Sequence, residues 1–370
     1  MDENRMDKSR MTTTRTLRTY RHLRLGYMPL IDCAPLVAAV RLGLDRKHGL
    51  RLHLHRQASW AAVRDKLLSG ELDAAHALAG LVYGVETGIG GLQADLAILL
   101  TLNQNGQAIT LSTALALALE QGQSLHDVLA SLGRPPVFAQ TFPTGTHAMW
   151  LYYWLAAQGI DPMREISVVA LSPTQMPDAL ASGELDGFCA GEPWSARAEV
   201  RGAGRRVIRS GQIWPGHPEK VLACRREFAA LQPEVAAALT TTVLEACRWL
   251  DAEAEHRREA AQWLAETDVI GLPVQDIESC LLLAAASGDD DTRLRFHADG
   301  QANFPWLSDG HWFLGQFRRW GWLPPATDDA DATLIGNVHR IDTYREAAQR
   351  LGVAVPHSDT RANLLFDHSP

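Results

Sequence analysis

Trp60, Gln107, His147 and Lys220 each stand in a short polar break within otherwise apolar text, and each carries a hydrogen-bond donor. Trp60 closes "QASW" just ahead of a helical pattern. That places it at the mouth of a βα turn, where strand C-termini put ligand contacts; the competing reading is a core indole. Gln107 stands in "NQNGQAIT". Its amide can donate to an anion, while Asn105-Gly106 reads as a turn. In "FPTGTHAMW", Gly145 and Thr146 precede a helix whose first residues include His147. Free backbone N–H groups and the positive end of the helix dipole meet there, and the imidazole completes an anion cradle. Lys220 opens a strand in "GHPEKVLA". A lysine in apolar strand text is uncommon unless it is paired or bound. Its neighbour Glu219 is the rival, as a plain surface ion pair.

Catalysis finds little support. The chain has no GxSxG, no HExxH, no P-loop and no GxGxxG, so the common nucleophile, zinc and phosphate devices are missing. His217 and Glu219 beside Lys220 form no recognised triad. Donors that converge without a nucleophile point to capture of a small anion rather than to an enzyme.

The elements that must position these donors follow from a repeat. "SGELD" at Ser69–Asp73 returns unchanged at Ser182–Asp186, each time after helix-like text and before a short apolar run. Each copy reads as a helix turning into a buried parallel strand. Around the first copy lie the strand "LRLGYMPL", a helix "CAPLVAAVRLGLDRKHG" closed by Gly49, the strand "LRLHLHR", the Trp60 helix, and a long strand "ADLAILLTLNQNGQAITLS". This is a doubly wound start. Around the second copy lie the strands "RPPVFAQTF", "ISVVALSP" and "RRVIRS" and an amphipathic helix "THAMWLYYWLAAQGI". "EKVLACRREF" then runs from strand into helix, and long helices follow. The expected fold is α/β: a two-lobed clam with a helical C-terminal extension packed on the first lobe. Residues 21–109 and 222–370 make lobe 1 and residues 110–221 lobe 2. The hinge falls near 108–112 and 219–223, with the ligand in the cleft beside it.

Composition narrows the partners. The formal net charge of -8 argues against a direct nucleic-acid surface, so any anion site must be locally positive. Five scattered cysteines without a CxxC pair fit a reducing compartment and argue against a structural metal. "LSTALALA" is too short and polar to span a membrane. The N-terminal text up to about residue 20 is charged throughout. It reads as a disordered tail without a secretory apolar core, and hence as a cytoplasmic protein, a processed precursor being the exception.

"LGYMPLIDCAPLVAA", "ASWAAVRDKL", "NQNGQAIT", "FPTGTHAMWLYYWLAAQGI", "CAGEPW", "GHPEKVL" and "NFPWLSDGHWFLGQFRRWGWL", in that order from about Leu23 to about Ala348, resemble the nitrate-binding proteins of ABC transporters. The resemblance implies a type II periplasmic-binding-protein fold and a nitrate or nitrite site without a cofactor. It assigns to that site the indole of Trp60, the amide of Gln107, the Gly145–Thr146–His147 turn, a backbone contact of Gly191 and the ammonium of Lys220. Bicarbonate-binding relatives carry an acidic residue and a calcium ion where Lys220 stands, so the lysine implies a monoanion and no metal. With no export signal visible, the chain is most similar to the cytoplasmic nitrate/nitrite sensors (NasS-like) of assimilation operons. Their implied partner is an ANTAR-type RNA-binding antiterminator (NasT-like), held until the anion arrives. The alternatives are the substrate-binding subunit of a nitrate/nitrite ABC transporter and, third, an enzyme of thiamine-pyrimidine synthesis, whose lysine and histidine or cysteine cluster is not found.

Overall fold

A computed structural model describes residues 20–282 and 293–367. The expected tail lies outside these residues except for Tyr20. Two five-stranded sheets form two lobes. The first contains β1 (Arg21–Tyr27), β2 (Leu50–Arg56), β3 (Ala74–Leu78), β4 (Leu96–Gln104) and β10 (Pro218–Arg225), in the order β2-β1-β3-β10-β4. The second contains β5 (Gln107–Ser112), β6 (Val137–Gln140), β7 (Ser167–Ala170), β8 (Gly187–Gly191) and β9 (Gly204–Arg209), in the order β7-β6-β8-β5-β9. Within each sheet four strands run the same way, three of them paired side by side. A strand arriving from the other lobe runs antiparallel between its neighbours: β10 in the first sheet, β5 in the second.

The repeated pentapeptide does the same work in both lobes. Gly70 and Gly183 both take φ +79, which glycine adopts without strain at the end of a helix. Asp73 then accepts from the Arg24 backbone N–H at 2.7 Å and pairs with the Arg24 guanidinium. Asp186 accepts from the Val137 N–H at 2.7 Å and takes both arms of Arg134 at 2.8 Å. Each aspartate thus ties the start of its own strand to the neighbouring parallel strand, β1 in one lobe and β6 in the other.

The crossings lie earlier than the sequence suggests. "LAILLTLNQNGQAITLS" is two strands, broken at Asn105 (φ 61) and Gly106 (φ 95). The chain changes sheets there, not at 108–112, and residues 107–109 already belong to the second sheet. It returns through residues 210–217, so Lys220 lies inside β10 and pairs with Leu78 of β3. The apolar residues of both strands are buried on either side of each crossing, so hydrophobic pattern alone cannot mark the switch; only the left-handed pair Asn105-Gly106 does.

The expected amphipathic helix, Thr146–Ala157, is instead buried on every side from Thr146 to Leu155. A helix apolar all round belongs in an interior. Here it lies under the C-terminal helix Leu307–Arg319, where Trp150 and Tyr153 meet Trp312 at 4.9 and 6.1 Å between ring centres. The C-terminal helices Pro233–Ala252 and Ile341–Leu351 pack on β4, as expected for an extension of the first lobe. The chain end then runs back across the molecule. Arg361 pairs with the buried Asp309 at 3.1 Å and donates to the Gly216 carbonyl at 2.9 Å. Further on, the Phe366 N–H donates to Ile213 O at 2.8 Å and Tyr153 donates to Asp367 at 2.7 Å. This strap ties the first lobe's C-terminal helices to the return crossing and to the second lobe.

Candidate functional site

Every residue singled out in the sequence converges on the seam between the lobes. Trp60 opens the helix Trp60–Ser69, whose first turn is capped by the Ser59 hydroxyl accepting from Ala62 N–H at 3.1 Å. Gln107 opens β5, which places it in the second sheet rather than the first, and it pairs in register with Gly191 of β8. Gly145 is the residue before the Thr146 helix, so Thr146 and His147 lie in its first turn. Lys220 comes from β10 of the first lobe. Trp60, Thr146, His147, Glu219 and Lys220 are 0 % exposed and Gln107 is 1 %, so the site is sealed.

The lysine is not in a surface pair. Its Nζ lies 2.8 Å from Glu219 Oε1 and 2.9 Å from Asp32 Oδ2, and 5.6 Å from the centre of the Trp60 ring. Burial pushes the ammonium's pKa down, but Asp32 and Glu219 outweigh it and hold the group charged. Burial likewise pushes the Asp32 carboxyl up, and Lys220 with His76 outweighs it, keeping Asp32 ionised. His76, from the apolar strand β3, lies 2.8 Å from Asp32 Oδ1.

The second lobe faces this ion pair with neutral donors. His147 Nδ1 lies 2.5 Å from the Thr141 hydroxyl and Nε2 lies 2.8 Å from Gln107 Oε1. Burial and the nearby Lys220 push His147 well below the ordinary histidine range, so the ring is neutral. Gln107 Nε2 in turn donates to Asp32 at 3.3 Å. Glu219 accepts from the Thr146 hydroxyl, from Trp150 Nε1 at 2.9 Å and from Lys220. The Trp60 Nε1–H is buried and meets no acceptor among the described residues. A buried donor left so costs about 1–3 kcal/mol, a cost that an acceptor seated beside Lys220 would relieve.

The lobes touch closely around the cluster. A Cβ added at Gly80, in the first-lobe helix Ala79–Glu86, would sit 2.3 Å from the Thr144 carbonyl of the second lobe. One added at Gly145 would sit 2.6 Å from Leu78, and one at Gly191 would sit 3.2 Å from Leu30 of the first lobe. Ile31 N–H donates to Glu192 O at 3.0 Å, and Trp194 Nε1 donates to Pro29 O at 3.0 Å. Beside Trp60 a hollow of about 360 Å³ opens between the lobes, bordered by Arg64, Phe142 and Pro173.

Asp32, His76, Thr141 and Trp150 complete the site, and sequence reading did not select them. His76 and Asp32 carried a signal: each is a polar residue inside an apolar run, "AAHAL" and "PLIDCAPL". Among the described residues no group of histidine, cysteine and acidic side chains is arranged to hold a metal ion. No helix among them is long and apolar enough to cross a membrane.

Comparison with known proteins gives the following similarities. The profile of the NMT1-like family matches residues 19–265. The nitrate/nitrite binding protein NrtA of Synechocystis sp. is 35% identical over 363 residues, covering 93% of this chain and 80% of that protein. The protein of the same name from Synechococcus elongatus is 37% identical, covering 92% and 81%. The crystal structure of the periplasmic nitrate-binding protein NrtA from Synechocystis superposes with a TM-score of 0.88 at 33% identity, covering 94% of each chain.

Proposed function

The chain belongs to the NMT1-like family and is a homologue of the NrtA nitrate-binding proteins of ABC transporters, and from that membership we propose that it binds nitrate or nitrite between its lobes, as the substrate-binding component of an uptake system. One observation carries the reading: a fully buried, charged lysine sealed between lobes beside an indole N–H without an acceptor. A planar monoanion lying between Lys220, Trp60 and the first turn of the Thr146 helix supplies what the indole lacks. Lys220 contributes the charge, His147 and Gln107 orient the oxygens, and Gly191 allows close approach. Charge-assisted hydrogen bonds suit such an ion without a bridging cation. The sensor reading, with its antiterminator partner and cytoplasmic location, gains no support from relatives named for transport, and the transporter reading is preferred.

The test is calorimetric titration of ligand-free protein with nitrate and nitrite. Micromolar affinity or tighter, roughly -8 kcal/mol, is expected in the parent. Lys220→Glu should abolish binding, and Lys220→Ala should weaken it by on the order of 1.5–3 kcal/mol. A parent without heat for either anion, or a Lys220→Glu variant that binds as well as the parent, refutes the assignment.

A further inference from the structure

Lys220 is the cation of the pocket, yet two carboxylates of its own chain already hold it. Besides Gln107 of β5 and the Trp60 ring, the groups facing them come from several further segments. β10 supplies Lys220 and Glu219. The turn after β1 supplies Asp32 and the thiol of Cys33, and β3 supplies His76. The Thr146 helix supplies Thr146, Trp150 and His147, the last with Nε2 3.4 Å from Glu219 Oε1. The return crossing supplies His217, with Nδ1 3.8 Å from Glu219 Oε2, and β8 supplies the thiol of Cys189. Arg361 lies beyond His217. Burial pushes both thiols up and all three histidines down, so these groups are neutral. Glu219 takes donors on both oxygens, from Lys220, Thr146 and Trp150, the pattern of an ionised carboxylate. One ammonium therefore faces two carboxylates, and the sealed cluster carries one excess negative charge.

A second negative charge cannot join that cluster cheaply in a medium that screens poorly. A proton is the smallest counter-charge available. Of the two carboxylates, Asp32 is held ionised by Lys220 and His76, whereas burial pushes Glu219 up despite its donors. Once protonated, Glu219 releases its claim on Lys220, whose ammonium can then turn a donor to the incoming anion.

We propose that Asp32 and Glu219 set the charge of the ligand: the pocket takes up a singly charged anion together with one proton, seated on Glu219, and refuses dianions such as sulfate. The proton comes from solvent and forms an O–H bond on the Glu219 carboxylate; no other bond changes. This rests on the anion-binding reading above and adds a stoichiometry to it.

The test uses ligand-free full-length protein titrated with sodium nitrate at pH 7.5 in Tris and in HEPES, whose heats of ionisation differ. The buffer dependence of the heat counts protons. The expected count is close to one per nitrate, with affinity falling about tenfold per pH unit above neutrality, and sodium sulfate is expected to give no heat. Glu219→Gln should bind nitrate with no proton count and a flat pH dependence. If that variant does not fold by circular dichroism, the parent's count and pH slope decide alone. Nitrate binding with no buffer-dependent heat overturns the proposal while leaving nitrate binding intact. Full proton uptake in a folded Glu219→Gln variant overturns it as well, as does sulfate binding as tight as nitrate. No nitrate heat between pH 5.5 and 8.5 overturns the anion reading and the proposal together.

Discussion

Gly80→Ala should weaken anion binding by forcing the lobes apart, leaving every donor side chain of the pocket in place. The new methyl would sit 2.3 Å from the Thr144 carbonyl oxygen, and 3.3 Å from both the Gly145 carbonyl carbon and Phe313. Ordinary contact begins at 3.4 Å, so the helix and the Thr144 loop must part by about 1 Å, comparable to other small-to-large strains costing about 1–3 kcal/mol. Neither partner can swing aside, because a main-chain carbonyl has no rotamer. The parting falls on opposite lobes, so the cost applies to the closed arrangement. In an open one the alanine is accommodated and, inside a helix, favoured over glycine by roughly 0.5–1 kcal/mol. Closure on the anion therefore loses about 1–3 kcal/mol, which converts to roughly 5- to 150-fold in affinity. Calorimetry with nitrate measures the loss, and thermal melting without anion should show a Tm unchanged or higher. Unaltered affinity would show that ligand capture does not use this contact, and a lowered Tm without anion would show that the lobes stay together when empty. Either result refutes the reasoning.

Trp60→Phe removes the unpartnered indole N–H; nitrate affinity should fall about 10- to 150-fold, the scale of one lost hydrogen bond to a charged group, while melting without anion changes little. Arg361→Ala strands the Asp309 carboxylate, which burial pushes up to about 6 with Arg361 opposing. The loss should be about 2–4 kcal/mol at pH 7.5 and smaller at pH 5, where Asp309 takes a proton, as chemical denaturation at the two pH values can check. Burial pushes His339 down to about 4, the bond to the Pro305 carbonyl partly opposing. The folded protein then binds fewer protons than the unfolded chain between pH 6.5 and 4, so the stabilisation is whole above 6.5 and lost as pH falls through 4, on the order of 3 kcal/mol. His339→Gln should flatten that part of the acid melting curve.

The sequence exposed much of this site because its residues break rules. A lysine in strand text, a glutamine after Asn-Gly and a histidine at a helix start are visible as exceptions to apolar pattern, and the structure gathers all three. Asp32 and His76 broke the same rule less loudly, each a single residue whose donor or acceptor partner lies far along the chain; His76 meets Asp32 across 44 positions. No local pattern encodes that meeting. The Thr146 helix misled for a related reason. Its Thr, His and two Tyr residues suggest a wet face, but the helix is buried from Thr146 to Leu155, and Trp312 of a helix some 160 residues later packs against Trp150 and Tyr153. The paired "SGELD" was the most informative stretch of all, since local chemistry alone, a left-handed glycine and a capping aspartate, makes the same corner in both lobes.

The strap of residues 361–367 makes the chain end part of the gearing. Two crossing segments would leave the lobes free to bend and to twist about one another. A third tie, anchored at Asp309 on one side and at Gly216, Ile213 and Tyr153 on the other, removes some of that freedom and selects the rotations that keep all three lengths constant. Rotation of the second lobe must then drag residues 361–367 along, and a pull on those residues must turn the lobe. The strap is a lever with its fulcrum beside the return crossing, so a label on it reads lobe rotation from outside a pocket that solvent does not reach.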